Sequence, residues 1–277
     1  MRSHLLRAAA GTAAASGGGG ASYVTNDLVF HIDAGNSSSY SGSGTTVYNL
    51  VNNHANDTYS ASHSTSNGGY WHFGNAGTPK YGIEWDMSSG TPDYSADFDI
   101  GSNDFSIECW LRPDLTLGII WSLSDGGNTL NNIPFYAVTV DSSNNPRISF
   151  RTNSTDTTYS ADRAEALDAN NVISGTTWSG NTTWIHYVVT SDASSETRKI
   201  YINNSLHATL TDSTFEGVIN ESTYDLRIGG MSSTYSNWHT AYPFEGDIAI
   251  VRIYNGRALS ASEVTQNYNA EKARYGY

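Results

Sequence analysis

One cysteine, six prolines and no long apolar run leave this 277-residue chain few ways to hold itself together. With no second thiol to pair with Cys109 there is no disulfide framework, so stability has to come from a packed core. Proline is too sparse for a Pro-rich stalk. No stretch approaches the roughly 20 apolar residues of a bilayer-spanning helix. Basic residues are also scarce: 14 Lys and Arg stand against 27 Asp and Glu, a formal charge of -13 at pH 7. A surface of that sign repels phosphate backbones and argues against a nucleic-acid partner. The eight histidines show no His-x-x-x-His metal spacing. No repeat with a period of about 20 to 50 residues is visible, which excludes propellers and solenoids.

What the chain does have is 18 Tyr, 7 Trp and 26 Gly among abundant Ser, Thr and Asn, a composition suited to aromatic-rich strands joined by polar turns. Leu28 to Ile32 reads as a first strand, closed by Asp33-Ala34-Gly35-Asn36. Residues 50 to 80 suggest short strands and long surface loops. Phe105, Ile107, Cys109 and Leu111 alternate with Ser106, Glu108, Trp110 and Arg112, the period of a strand with two distinct faces. Gly118 to Leu123, Phe135 to Val140 and Arg147 to Arg151 follow as strands between turn clusters. Asp162 to Asp168 reads as a loop excursion. Trp184 to Thr190 and Arg198 to Asn203 form a hairpin through Asp192 to Glu196, and Leu226 to Gly230 is a further strand. Gly246 to Glu263 specifies a strand-to-helix junction. Ile248 to Tyr254 is the strand, Ser260 and Glu263 form a capping box, and Leu259 and Val264 occupy the staple positions of a helix running to about Ala273. Many short strands and one late helix indicate an all-β, antiparallel sandwich over residues 27–277.

The first 26 residues differ from the rest. Arg2 and Arg7 flank Leu5-Leu6, followed by alanines and Gly17 to Gly20. This reads as a flexible, mildly basic arm with a glycine hinge, able to order against a partner. A cleaved secretory signal is the alternative, although Arg7 interrupts its apolar middle.

Four segments carry a family resemblance: Asp104 to Pro113, Thr183 to Thr190, Lys199 to Asn204, and the Gly246 to Glu263 junction. In this order they resemble the concanavalin A-like lectin/glucanase superfamily, in its laminin-G-like jelly-roll branch. Asn204 stands where that family usually has Gly in the hairpin turn, a position Asn tolerates. The resemblance implies a jelly-roll β-sandwich with a short C-terminal helix. The opening segment Leu28 to Val51, after an Ala/Gly-rich arm, is similar to the start of such domains in virion proteins of tailed bacteriophages. That second resemblance implies a non-enzymatic virion surface protein, decorating a capsid or associated with a tail, anchored to capsid or tail proteins through its arm and binding cell-surface glycans in host adhesion. A homo-oligomer is a further expectation, by closed symmetry. The alternatives are a secreted, extracellular carbohydrate-binding module and a glucanase-type glycoside hydrolase.

Candidate sites follow. Glu84-Trp85-Asp86 holds two of the three acids of a glucanase strand and lacks the third, so no catalytic residue is assigned. Asp97 to Glu108 mimics part of an EF-hand with its glycine misplaced, and is rejected. The resemblance implies a structural Ca²⁺ between the first and last strands, with Asp247 and Asp33 as ligands. Sugars stack on exposed aromatic rings and bind polar side chains at their edges. Among Tyr70, Trp71, Trp178, Tyr235 and Trp238, Trp71 and Trp238 are the chosen ligand-binding positions.

Overall fold

The computed structural model describes residues 22–59, 61–74, 82–85, 103–113, 118–124, 136–140, 146–150, 183–211, 225–229 and 244–277. Within these the strands are β1 (Leu28–Asp33), β2 (Thr46–Tyr48), β3 (Ala55–Tyr59), β4 (Ser62–Ser64), β5 (Tyr70–Phe73), β6 (Gly82–Trp85), β7 (Phe105–Pro113), β8 (Gly118–Ser124), β9 (Tyr136–Val140), β10 (Pro146–Phe150), β11 (Ile185–Asp192), β12 (Thr197–Ile202), β13 (Ser205–Thr211), β14 (Asp225–Ile228) and β15 (Gly246–Asn255). Helix α1 (Ala261–Glu271) and a 3-10 turn, Lys272–Tyr275, end the chain. Among the described residues no helix is long and apolar enough to cross a membrane.

The strands form two antiparallel sheets. The larger has eight strands in the order β13-β12-β11-β7-β15-β5-β4, with β1 also paired to β15; the smaller runs β10-β9-β8-β14-β6-β3-β2. Phe30, Ile32, Trp71, Phe73, Phe105, Ile107, Cys109 and Leu111 from the first sheet meet Val47, Ile83, Ile120, Trp121, Leu226 and Ile228 from the second in one core. This is the sandwich that strand alternation and turn chemistry specify. Cys109 is buried in it, and desolvation pushes its thiol well above the ordinary range.

β15 organises the larger sheet. Its whole length pairs with β7; on its other side residues 250–254 pair with β1 and residues 246–248 with β5. Between Ile248 and Ile250 the register against β7 shifts by one, so that Ala249 is a bulge residue. Ile248 therefore faces the core, as do Val251 and Ile253, while Asp247, Ile250 and Arg252 face outward.

The outward face of this sheet is covered by residues 22–26 and by the segment 259–275. Leu259 and Val264 pack with Val188, Tyr201 and Tyr254, and Val24 joins them from the N-terminal side. Residues 22–26, assigned to the arm by sequence, thus include a packed anchor. The Val24 amide donates to Asn267 Oδ1 (2.8 Å), and Tyr254 Oη donates to the Val24 carbonyl (3.0 Å). The capping box forms as expected: the Ser260 side chain accepts from the Glu263 amide, and Glu263 accepts from the Ser260 amide at 2.9 Å. Asn203 and Asn204 both take positive φ (47° and 66°) in the β12–β13 turn, which spares it the missing glycine. The excursion at residues 162–168 lies outside the described residues.

Candidate functional site

The outward residues of β7, β15, β5 and β4 stand side by side. Arg112 is paired with Asp247, Asp247 with His72, and His72 with Ser62. Strand parity decides this: Leu111, Ile248 and Phe73 enter the core, so their neighbours Arg112, Asp247 and His72 point away from it.

Asp247 is the centre of the row. Its Oδ2 accepts from Arg112 Nε at 2.7 Å and also pairs with Nη2; its Oδ1 lies 2.8 Å from His72 Nδ1. A carboxylate only accepts, so Nδ1 carries a proton and donates to Oδ1. Nε2 lies toward Gly74, where a Cβ would sit 3.4 Å away. The Asp247 side chain is 4% exposed, Arg112 25% and His72 45%, so the row runs from a buried anchor to a wet rim. Burial works against the Arg112 charge, but the hydrogen bond and negative charge of Asp247 outweigh it and raise the guanidinium above its ordinary value. The guanidinium lies over Trp184 (5.3 Å to the ring centroid) and Tyr70 (5.5 Å), whose rings meet edge to face.

The arrangement offers a fixed cation, an oriented imidazole, an exposed hydroxyl and a half-buried aromatic ring on one rigid sheet face. Such a set donates to and accepts from hydroxyl groups while presenting an apolar surface beside them. A carboxylate-oriented imidazole is also half of a nucleophilic catalyst, but Ser62, the neighbouring hydroxyl, makes no hydrogen bond to His72.

Deeper along the same face lies a second polar group, sealed by α1. Glu108 Oε1 accepts from Arg252 Nη1 (2.9 Å) and lies 3.1 Å from His186 Nε2, and Oε2 accepts from Asn267 Nδ2 (2.5 Å). Arg252 Nη2 also donates to Glu271 Oε1 (2.5 Å). Burial opposes the Glu108 charge, yet Arg252, His186 and Asn267 together hold its carboxyl down at about 2. Glu108, His186, Arg252 and Asn267 are fully enclosed and, with Glu271 at the edge, bind the helix to the sheet.

The expected site residues fare differently. Trp71 is wholly buried in the core, because it alternates with the outward Tyr70 and His72; its ring faces Tyr40, and it offers no surface to a ligand. This corrects its assignment as a ligand-binding residue. Tyr70, its neighbour, holds the outward, half-buried position instead. Trp238, Trp178 and Tyr235 lie outside the described residues. Glu84 lies on β6, and Asp86 lies outside the described residues.

Asp33 and Asp247 do not form a Ca²⁺ site together. Asp33 pairs across the sheet with Ile250, three residues beyond Asp247, and each carboxylate already holds a guanidinium: Arg274 on Asp33 and Arg112 on Asp247. A divalent cation would meet those positive charges at contact distance, so the residues present do not fit the ion. Among the described residues no group of three or more His, Cys, Asp or Glu side chains could hold a metal. Arg112, His72 and Trp184 escaped sequence reasoning. The alternation of residues 105–112 did place Arg112 on the outward face, but nothing in the sequence paired it with Asp247.

Comparison with known proteins bears on the fold. No curated protein sequence matches the chain. Among solved structures, a sialidase of Trypanosoma rangeli superposes with a TM-score of 0.57 at 13% identity, covering 92% of this chain and 34% of that one. The same sialidase in complex with sialic acid gives 0.56 at 14% identity, over 93% and 35%. The CBM40 of a Ruminococcus gnavus IT-sialidase, bound to α2,3-sialyllactose, gives 0.47 at 16%, over 66% and 90%. The chain thus spans about a third of the length of the T. rangeli enzyme. Residues 91–265 match a laminin-G-type family, and on that match the chain belongs to the concanavalin A-like lectin/glucanases superfamily.

Proposed function

We propose that this protein is a non-enzymatic, lectin-like module that binds glycans through the Arg112–Asp247–His72–Ser62 row, carried on a virion surface and anchored through its N-terminal arm. One observation carries the glycan reading: a row of alternating donors and acceptors, fixed on a sheet and bounded by the Tyr70 ring. Sugars need both kinds of partner, polar groups for their hydroxyls and an apolar ring for their C–H faces. The lectin-type sandwich suits that role. Supporting the anchor, residues 1–26 hold Arg2 and Arg7 and no acid, whereas the remainder carries 12 basic residues (14 less 2) against 27 acids. The packed segment at Val24 ties the arm firmly to the domain.

Glycan-array binding of the whole chain, followed by titration of the best hit, tests the reading. The parent should bind, and Arg112→Ala and His72→Ala should each lose at least about tenfold in affinity, the value of one charge-assisted hydrogen bond. Equal binding by both variants sinks this site. Electron microscopy of the native assembly tests the location, and sugar release by the parent would favour a hydrolase instead.

A further inference from the structure

The C-terminal 3-10 turn delivers Arg274 into a ring of oxygens. Its Nη1 and Nη2 donate to the two oxygens of Asp33 at 3.0 and 2.7 Å. Nη2 also donates to the carbonyls of Gly68 (2.8 Å) and Gly69 (3.1 Å), and Nε to that of Asn67 (3.2 Å). One carboxylate and three main-chain carbonyls therefore converge on a single cation. Carboxylate and carbonyl oxygens are the ligand types a hard divalent ion selects. Here a planar guanidinium, with its forked donors, satisfies them all.

The backbone is shaped around that occupant. A Cβ on Gly35 would lie 1.5 Å from the Gly68 carbonyl oxygen, and one on Gly69 (φ 105°) would lie 2.6 Å from the Gly35 Cα. Asn67, at φ 49°, turns its carbonyl into the ring from the left-handed region. The side chains of Asp33 and Arg274 are 13% and 17% exposed, so water competes weakly for the pair. The next residue, Tyr275, stacks on Trp110 at 4.2 Å and lies 4.8 Å from Trp184. Filling the ring and closing the aromatic cover are thus a single docking event.

We propose that this five-oxygen ring is a cation site whose occupant is the chain's own Arg274, so that the C-terminal turn holds β1 and the 66–69 turn together as a bound divalent ion would. The inference does not depend on glycan binding. It predicts a protein indifferent to Ca²⁺ whose cation can be removed only by mutation.

Thermal unfolding of the full chain tests this in three buffers: EDTA, millimolar CaCl₂, and methylguanidinium chloride matched against NaCl. The parent should melt at the same temperature in EDTA and CaCl₂. Arg274→Ala should melt about 5 °C lower, as expected for a forked, largely buried pair in a chain of this size. Methylguanidinium or Ca²⁺ should restore part of that loss with a saturating dose response. If Arg274→Ala does not fold, Arg274→Gln, which removes the charge and keeps part of the stem, takes its place in the same buffers with the same expectations. A parent destabilised by EDTA would overturn the proposal, as would a variant that melts with the parent or that neither cation restores.

Discussion

The outward face of the larger sheet has two halves built from the same strands and similar residues, with opposite properties. Under α1, Glu108, His186, Arg252 and Asn267 are sealed from water. Beyond the cover, Arg112, Asp247 and His72 repeat the pattern of acid, arginine and histidine, but there the arginine and the histidine reach solvent from a buried acid. In the sealed half each charge is tied to the others and nothing can enter. In the open half the same chemistry retains free donor and acceptor capacity. The helix, and not the residue types, decides which half holds the fold and which can hold a ligand.

The largest effect should come from the sealed half. Glu108→Gln removes the acid between Arg252 and His186 and should cost about 3–5 kcal/mol, the penalty for leaving a buried charge with one partner fewer, measurable by urea unfolding. A smaller effect than about 1 kcal/mol would show that Glu271 alone compensates Arg252.

Acid should act on the same half in two stages. His31 is buried beside Arg252 and Arg274, and desolvation first, then the two guanidiniums, hold its pKa well below 6.5. Neither ring nitrogen has a hydrogen-bond partner among the described residues. Below pH 6.5 the unfolded chain binds a proton that the folded chain refuses, so stability should fall by up to about 1.4 kcal/mol per pH unit. His31→Phe should flatten that limb of a melting-temperature profile; an unchanged slope would exclude His31 as its source. Glu108 adds a second loss. Its stabilisation is complete above 4.5, the carboxyl's ordinary value, and disappears as pH falls toward about 2.

Loosening the cover itself should matter less. Ser260→Ala removes the cap of α1 and should cost about 1 kcal/mol. In the open half the smallest change is expected: His72→Ala should alter stability by less than about 1 kcal/mol, because the ring it removes is largely in water, while reducing glycan binding. Equal losses of stability from Glu108→Gln and His72→Ala would erase the distinction between the halves.

Much of this was legible in the sequence. The alternation at residues 105–112 separates Cys109 and Leu111 from Glu108 and Trp110, and Ser260 with Glu263 marks the helix start. The site was less legible because of one residue. Strict alternation through Ile248-Ala249-Ile250-Val251-Arg252 would put Ile248 and Arg252 on the same face. The bulge at Ala249 reverses the parity, sends Arg252 out to Glu108, and leaves Asp247 beside Arg112. A bulge is set by the partner strand, and a single chain segment does not announce it. Trp71 was misjudged for a related reason. Among Tyr70, Trp71 and His72 composition cannot say which ring faces inward until the strand is placed between β4 and β15.

The position of β15 has a consequence for synthesis. It touches β7, β1 and β5, all made far earlier, so the middle of the larger sheet stays open until residues 246–255 have left the ribosome. Until then β7 and β1 expose unpaired edges that a neighbouring nascent chain could occupy, and non-local closure of this kind is slow. A chain truncated before Gly246 should therefore be recovered as aggregate, since the piece that completes the sheet arrives last.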